Sequence, residues 1–176
     1  SGKEKYQVLK RSNNSDEIDW QHDSVTLFDS GYVEREGKVY GYSENSLYLG
    51  GAFTPVSRSE NRRDGKKTIR TSEGRTETRL TVFEGNGLVR TVSTAFDGTI
   101  QTEESENGLL LCSRHSVLGE TTYAYDQFNR RISSDHAANG TTITRCVTLD
   151  ALGNILTQTE SAGGSERTTS YVWDQL

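Results

Sequence analysis

Three aspartates of the C-terminal half, Asp126, Asp150 and Asp174, recur at 24-residue intervals and hold the chain's clearest chemical potential. Two carboxylates set roughly 5–10 Å apart can cleave a glycosidic bond, one as the acid and the other as base or nucleophile. Recurrence at one place in a repeating frame points elsewhere. An aspartate that returns with the period is more simply a turn builder, accepting backbone N–H groups two or three residues on. His22, His115 and His136 are scattered, with no serine or cysteine motif beside them to mark an activated nucleophile. His136 lies four residues before Gly140 and is expected in a loop. Cys112 and Cys146 make neither a metal-ligand pattern nor a disulfide framework. Two isolated buried thiols are expected, with a single bridge as the alternative. The glycines are spaced as turns, not as a phosphate-binding loop. These residues give no catalytic, cofactor or metal site, and a non-enzymatic role is expected.

The elements that position the aspartates read as β-structure. Pro55 is the single proline, and no window of a dozen residues keeps apolar side chains at helical spacing. Threonine occurs 21 times. Tight-turn pairs recur at Glu36-Gly37, Asp64-Gly65, Glu73-Gly74, Asp97-Gly98, Asn139-Gly140 and Gly163-Gly164. Glycine and asparagine accept the positive φ that such turns demand. Between turns the pattern alternates. Ile143, Val147 and Leu149 share a strand face interrupted by Arg145, and Tyr123/Tyr125 and Tyr171/Trp173 repeat the spacing of two.

Hydrophobic residues make up only 31% and the mean hydropathy is -0.73, which suits a shallow sheet better than a thick core. Twenty basic residues against 25 acidic give a net charge of -5, without the basic excess that nucleic acid requires. Arg62, Arg63, Lys66 and Lys67 straddle Asp64-Gly65 and read as a solvated hairpin tip. No run approaches the roughly 18 apolar residues of a membrane span, and no signal peptide is evident. Ser1-Gly2, in a chain without methionine, reads as a cloning scar on a piece of a larger protein. Asn13-Asn14-Ser15 and Asn139-Gly140-Thr141 fit the glycosylation acceptor pattern, which matters only in a secreted eukaryotic protein.

A repeat organises residues 74–176. Phe83-Glu84-Gly85-Asn86-Gly87, Tyr125-Asp126-Gln127-Phe128-Asn129 and Leu149-Asp150-Ala151-Leu152-Gly153 each carry an apolar or aromatic residue, an acid, and Gly or Asn three positions later. Ser105-Glu106-Asn107-Gly108 fits with serine at the acid position, and Trp173-Asp174 opens another copy. The anchors are 84, 105, 126, 150 and 174, so the period is 21, 21, 24 and 24. Gly98 and Gly119 stand seven residues before their anchors, and Gly140 and Gly164 ten, which puts the insertion in the strand leading into the anchor. Each unit is expected to be a strand, a tight turn, a second strand and a turn closed on the acid. The residue before the acid should face inward, and the third position should be left-handed. Such units bury their apolar faces only by stacking.

The unit Gly119-x3-Tyr123-x-Tyr125-Asp126-x2-Asn129-Arg130 closely resembles the YD repeat of the Rhs family, Gly-x3-Tyr-x-Tyr-Asp-x2-Gly-Arg, with Asn129 in place of glycine. The next copy keeps Asp150 and Gly153 but has Val147, Leu149 and Asn154 where the family prefers Tyr, Tyr and Arg. The resemblance implies an all-β fold: a curved antiparallel sheet of tandem β-hairpins, forming a section of a shell or spiral barrel. In bacterial Rhs proteins and toxin-complex subunits such a shell encloses a C-terminal toxic polypeptide, while in teneurins a similar barrel serves cell-surface adhesion. A secreted or cell-surface location, most naturally bacterial, is implied with it. The family's proline-containing self-cleavage motif and aspartate pair have no counterpart here, so no catalytic residue carries over.

Residues 3–73 form an N-terminal β segment with weak or degenerate repeats, Tyr40-Gly41-Tyr42-Ser43 being one candidate. Trp20, Tyr32, Tyr40, Tyr42 and Tyr48 cluster there. They are either exposed rings suited to stacking on a glycan or a protein, or, for Tyr40 and Tyr42, the inward Tyr-x-Tyr of a worn repeat. Two roles stay open: a shell segment around the parent's own C-terminal polypeptide, and an adhesion or glycan-binding module. Neither calls for nucleic acid or a membrane span.

Overall fold

The computed structural model describes residues 5–10, 18–21, 23–49 and 51–174. Ser1-Gly2, Asn13-Asn14-Ser15 and His22 lie outside the described residues. The chain is all-β, with antiparallel strands and no helix among the described residues. It divides into two compact units, one formed by residues 1–80 with 93–98 and the other by 81–92 with 99–176.

The first unit contains β1 (Lys5–Lys10), β2 (Ser24–Arg35), β3 (Lys38–Leu49), β4 (Ala52–Arg62), β5 (Lys67–Ser72) and the start of β6 (Arg75–Gly85). Each strand pairs with its neighbour in sequence. From β2 onward, threonine- and aromatic-bearing strands joined by turns of a few residues favour this order, since pairing across a short turn costs little loop entropy. Val25 and Tyr40 are buried, as are the polar Asp23, Thr26, Ser46 and Glu60. The core is thus a thin, partly polar seam.

The second unit takes in the end of β6, then β7 (Leu88–Thr94, mostly in this unit), β8 (Ile100–Glu106) and β9 (Leu109–His115). It continues through β10 (Gly119–Tyr125), β11 (Arg131–Ala138), β12 (Thr141–Leu149), β13 (Ile155–Ala162) and β14 (Ser165–Ser170). From β8 onward every strand is hydrogen-bonded to the next in antiparallel register. Cys112 is the buried hydrophobic residue of this unit among those described.

Two kinds of turn join the strands. Glu36-Gly37, Glu73-Gly74, Asn86-Gly87, Asn107-Gly108, Asn139-Gly140 and Gly163-Gly164 have positive φ at both residues, the mirror-image hairpin turn whose twist matches its strands. The basic tip is a hairpin end as expected. Asp64 accepts from the Arg62 guanidinium (2.6 Å) and the Lys66 N–H (3.0 Å), and the Gly65 N–H closes on the Arg62 carbonyl. β-Bulges recur near turns of both kinds. The register slips between Glu104 and Ser105, Ala124 and Tyr125, and Thr148 and Leu149, leaving Leu111, Ile132 and Leu156 as the extra residues on the partner strands. A bulge opens the ladder and increases the local twist.

Candidate functional site

At one end of the second unit, two turns carry the same side-chain chemistry. Asp126 Oδ1 accepts the N–H of Phe128 (2.9 Å) and of Arg130 (3.0 Å), and Oδ2 takes the Arg130 guanidinium at 2.7 Å. Asp150 Oδ1 accepts the N–H of Leu152 (2.9 Å) and of Asn154 (2.8 Å), and Oδ2 takes the Asn154 amide at 2.8 Å. The left-handed third residue is Asn129 (φ 62°) in one and Gly153 (φ 93°) in the other, and its N–H returns to the aspartate carbonyl. Arg130 also reaches forward, donating from Nη1 to the Asp150 carbonyl at 2.8 Å. One side chain thus ties two successive turns. Asn154, at the equivalent position, is too short to do more than hold its own aspartate.

Partial burial works against the charge on Asp126, but the Arg130 N–H and guanidinium and the Phe128 N–H outweigh it and hold the carboxyl below its ordinary range. Asp150 is held low first by the Asn154 amide and then by its backbone donors. Both turns are therefore built on ionised carboxylates. Their support is complete above the ordinary carboxylate range and is lost as the pH falls below it, through the lowered values of the folded chain. Asp126→Ala removes the acceptor shared by two amides. Hydrogen exchange at Phe128 and Arg130 should accelerate about tenfold, whereas Leu152 and Asn154 should change far less.

The residue before each aspartate has a second task where it carries a donor. Tyr125 donates its hydroxyl to the Leu110 carbonyl (2.8 Å), and Trp173 donates its indole N–H to the Ile155 carbonyl (2.7 Å). Leu110 and Ile155 each precede the extra residue of a bulge, so the aromatic tips serve carbonyls where the ladder opens. Leu149 has no such donor. Inward packing of this residue is not uniform, since Phe83 and Trp173 are more than half exposed. Tyr123 lies under the Arg131 guanidinium at 5.6 Å, and Tyr171 donates its hydroxyl to Gln158.

The frame departs from expectation at its first two anchors. Gly87 and Gly108 are left-handed (φ 79° and 85°), as the third position requires. Yet both belong to two-residue hairpins, where the ladder closes the turn and leaves no amide for a preceding acid. Glu84 instead pairs with Arg90 at 3.1 Å, and Ser105 pairs across to Leu110. Asp174 is exposed, and the residues that would close a turn on it lie outside the described ones. Conversely, Ala95-Phe96-Asp97-Gly98 closes like the aspartate turns, Gly98 N–H to Ala95 carbonyl at 2.9 Å. The sequence marks a tight turn here at Asp97-Gly98, but alanine at the acid position hides its kinship with the aspartate turns.

Other expectations also change. His136 lies within β11, its Nδ1 2.8 Å from the Thr121 hydroxyl on the facing strand. His115 Nδ1 accepts the N–H groups of Val117 and Leu118, both at 3.2 Å, taking the place an aspartate holds elsewhere. Both cysteines are free, but Cys146 is exposed rather than buried; Arg145 beside it is exposed too, so both faces of β12 are uncovered at this point. Gly119 starts β10 with φ 94°.

In the first unit, sequence reasoning missed an ion network. Glu60 is 2% exposed and accepts a two-point bond from Arg35, Nε at 2.6 Å and Nη2 at 2.8 Å. Arg58 adds a third bond at 2.6 Å, reaches Glu44 at 2.8 Å, and stacks 4.2 Å from the Tyr42 ring centre. Tyr42 in turn donates to Asp29 at 2.8 Å. The pairings Tyr42↔Glu60, Glu44↔Arg58 and Asp29↔Glu44 explain how residues so far apart in sequence share one face. Of the five aromatics expected there, Tyr40 is buried and Tyr42 is partly covered, while Trp20 and Tyr48 meet Phe53 edge-on and Tyr32 is 79% exposed.

Among the described residues no group of three or more His, Cys, Asp or Glu could hold a metal ion. Among the same residues no helix is long and apolar enough to cross a membrane. Comparison with family models, with curated proteins and with solved structures finds no match.

Proposed function

We propose that this chain is a structural segment of an Rhs-like YD-repeat protein, part of a β-shell around the parent's own C-terminal polypeptide. One observation carries the reading. In the stretch that resembles the YD motif, Asp126 and Asp150 close matching turns, and the motif arginine, Arg130, joins them. A side chain that holds its own turn and the next is suited to a long wall, since each hairpin then stiffens its successor. The wall would act by exclusion, keeping a cargo from proteases. Limited proteolysis of the full-length parent with intact-mass analysis tests this. A C-terminal polypeptide that survives until denaturant is added supports it; digestion of that polypeptide under native conditions sinks it.

A second reading, an adhesion or glycan-binding module, is favoured by the exposure of Tyr32, Phe128 and Leu152. Exposed rings and aliphatic tips are the usual anchors of a protein or sugar contact. Glycan-array binding that disappears in Tyr32→Ala would support this reading over the shell.

A further inference from the structure

We infer that the groove across β11, β12 and β13 docks an extended polypeptide segment in which an acidic residue is followed on the same face by branched aliphatic ones. The groove encloses about 380 Å³ and is lined by Arg131, Ile132, Val147, Leu149, Ile155 and Gln158. Its floor comes from strand register, with Val147 opposite Gln158 and Leu149 opposite Ile155, and the bulge inserts Ile132 beside them. Charge decides what it takes. Arg145, at one side, is neutralised by Glu160 at 2.6 Å. Arg131 forms no ion pair among the described residues, and its guanidinium leans only on the Tyr123 ring. An uncompensated cation therefore stands beside four aliphatic side chains, which calls for a carboxylate joined to an apolar body.

The open trough suits a polypeptide better than an enclosed tail. An extended strand turns alternate residues to one side, so a carboxylate at one position and aliphatics two and four residues on meet Arg131 and the apolar floor together. Ser134, opposite Arg145 on the groove face, offers its hydroxyl to the segment's backbone.

The test is a ¹⁵N-correlation NMR titration of the whole chain at low salt. The probe is the capped hexapeptide Glu-Thr-Val-Thr-Leu-Thr, compared with its Gln-for-Glu counterpart. Shifts confined to β11–β13 are expected, with binding about fivefold weaker for the Gln peptide and for Arg131→Gln, and restored in Arg131→Lys. Arg131 is exposed, so the variant's undisturbed spectrum reports its folding. The inference is overturned by the absence of shifts at millimolar peptide, by equal affinity for both peptides, or by indifference to Arg131→Gln. Binding of sodium hexanoate in place of the peptide would equally overturn it, marking a small-molecule site.

Discussion

Gly119→Ala destabilises the second unit by about 3 kcal/mol or more, the largest effect expected from a single methyl group in this chain. Two costs combine. At φ 94° an L side chain is strained before it meets anything. The added Cβ would also overlap the Ala137 carbonyl oxygen and come within 2.9 Å of the Ala138 Cβ. That carbonyl belongs to β11, where Ala137 pairs with Glu120, so it cannot withdraw without opening the β10–β11 ladder. Gly140→Ala is the control. Its φ is 75°, but a Cβ there meets nothing within 4 Å, and only the backbone strain of about 1 kcal/mol remains. Urea midpoints for the two variants should differ by the cost of the overlap. The excess should appear as lost amide protection in β10 and β11 only. Equal midpoints would show that β11 yields without cost.

Glu60→Ala should cost about 3 kcal/mol, because it strips a buried carboxylate from between two arginines, leaving Arg35 without its partner and Arg58 with Glu44 alone. Loss of Arg35, whose side chain is about half exposed, should matter much less. The pH dependence has a definite sign. Bonding from Arg35 first, and then from Arg58, overcomes the burial penalty and holds the Glu60 carboxyl below its ordinary range. A carboxyl that is lower in the folded than in the unfolded chain contributes stability above the unfolded value of about 4.3, lost as the pH falls below it. Thermal unfolding between pH 7 and pH 3 should show this loss in the parent chain, and a flatter profile in Glu60→Gln. Matching profiles would show that Glu60 is no part of the acid response.

Turn chemistry was the part of this fold most open to reading. Asn129 and Gly153 were legible as left-handed positions because few residues tolerate that backbone, and Asp126 and Asp150 because an ionised carboxylate two residues before a free amide has an obvious partner. The same frame misled at Glu84 and Ser105, where Asn86-Gly87 and Asn107-Gly108 were stronger local signals and took the turn. Alanine at position 95 carried no signal of its own. The Glu60 network was invisible for another reason. Its members lie on β2, β3 and β4, and in sequence Arg35, Glu44, Arg58 and Glu60 look like ordinary solvated charges. Only register makes them neighbours. The aromatic–carbonyl bonds of Tyr125 and Trp173 depend on bulges, which composition does not announce.

Strand order has a mechanical consequence. In each unit a strand is bonded to the strands just before and after it in the chain, with short turns between. Tension applied along the polypeptide would therefore load one hairpin after another in unzipping geometry, breaking ladder bonds singly rather than shearing many at once. Arg130 interrupts that sequence, because its reach from the Asp126 turn to the Asp150 carbonyl spans two hairpins. The chain would part strand by strand under low force, with a pause at the guanidinium.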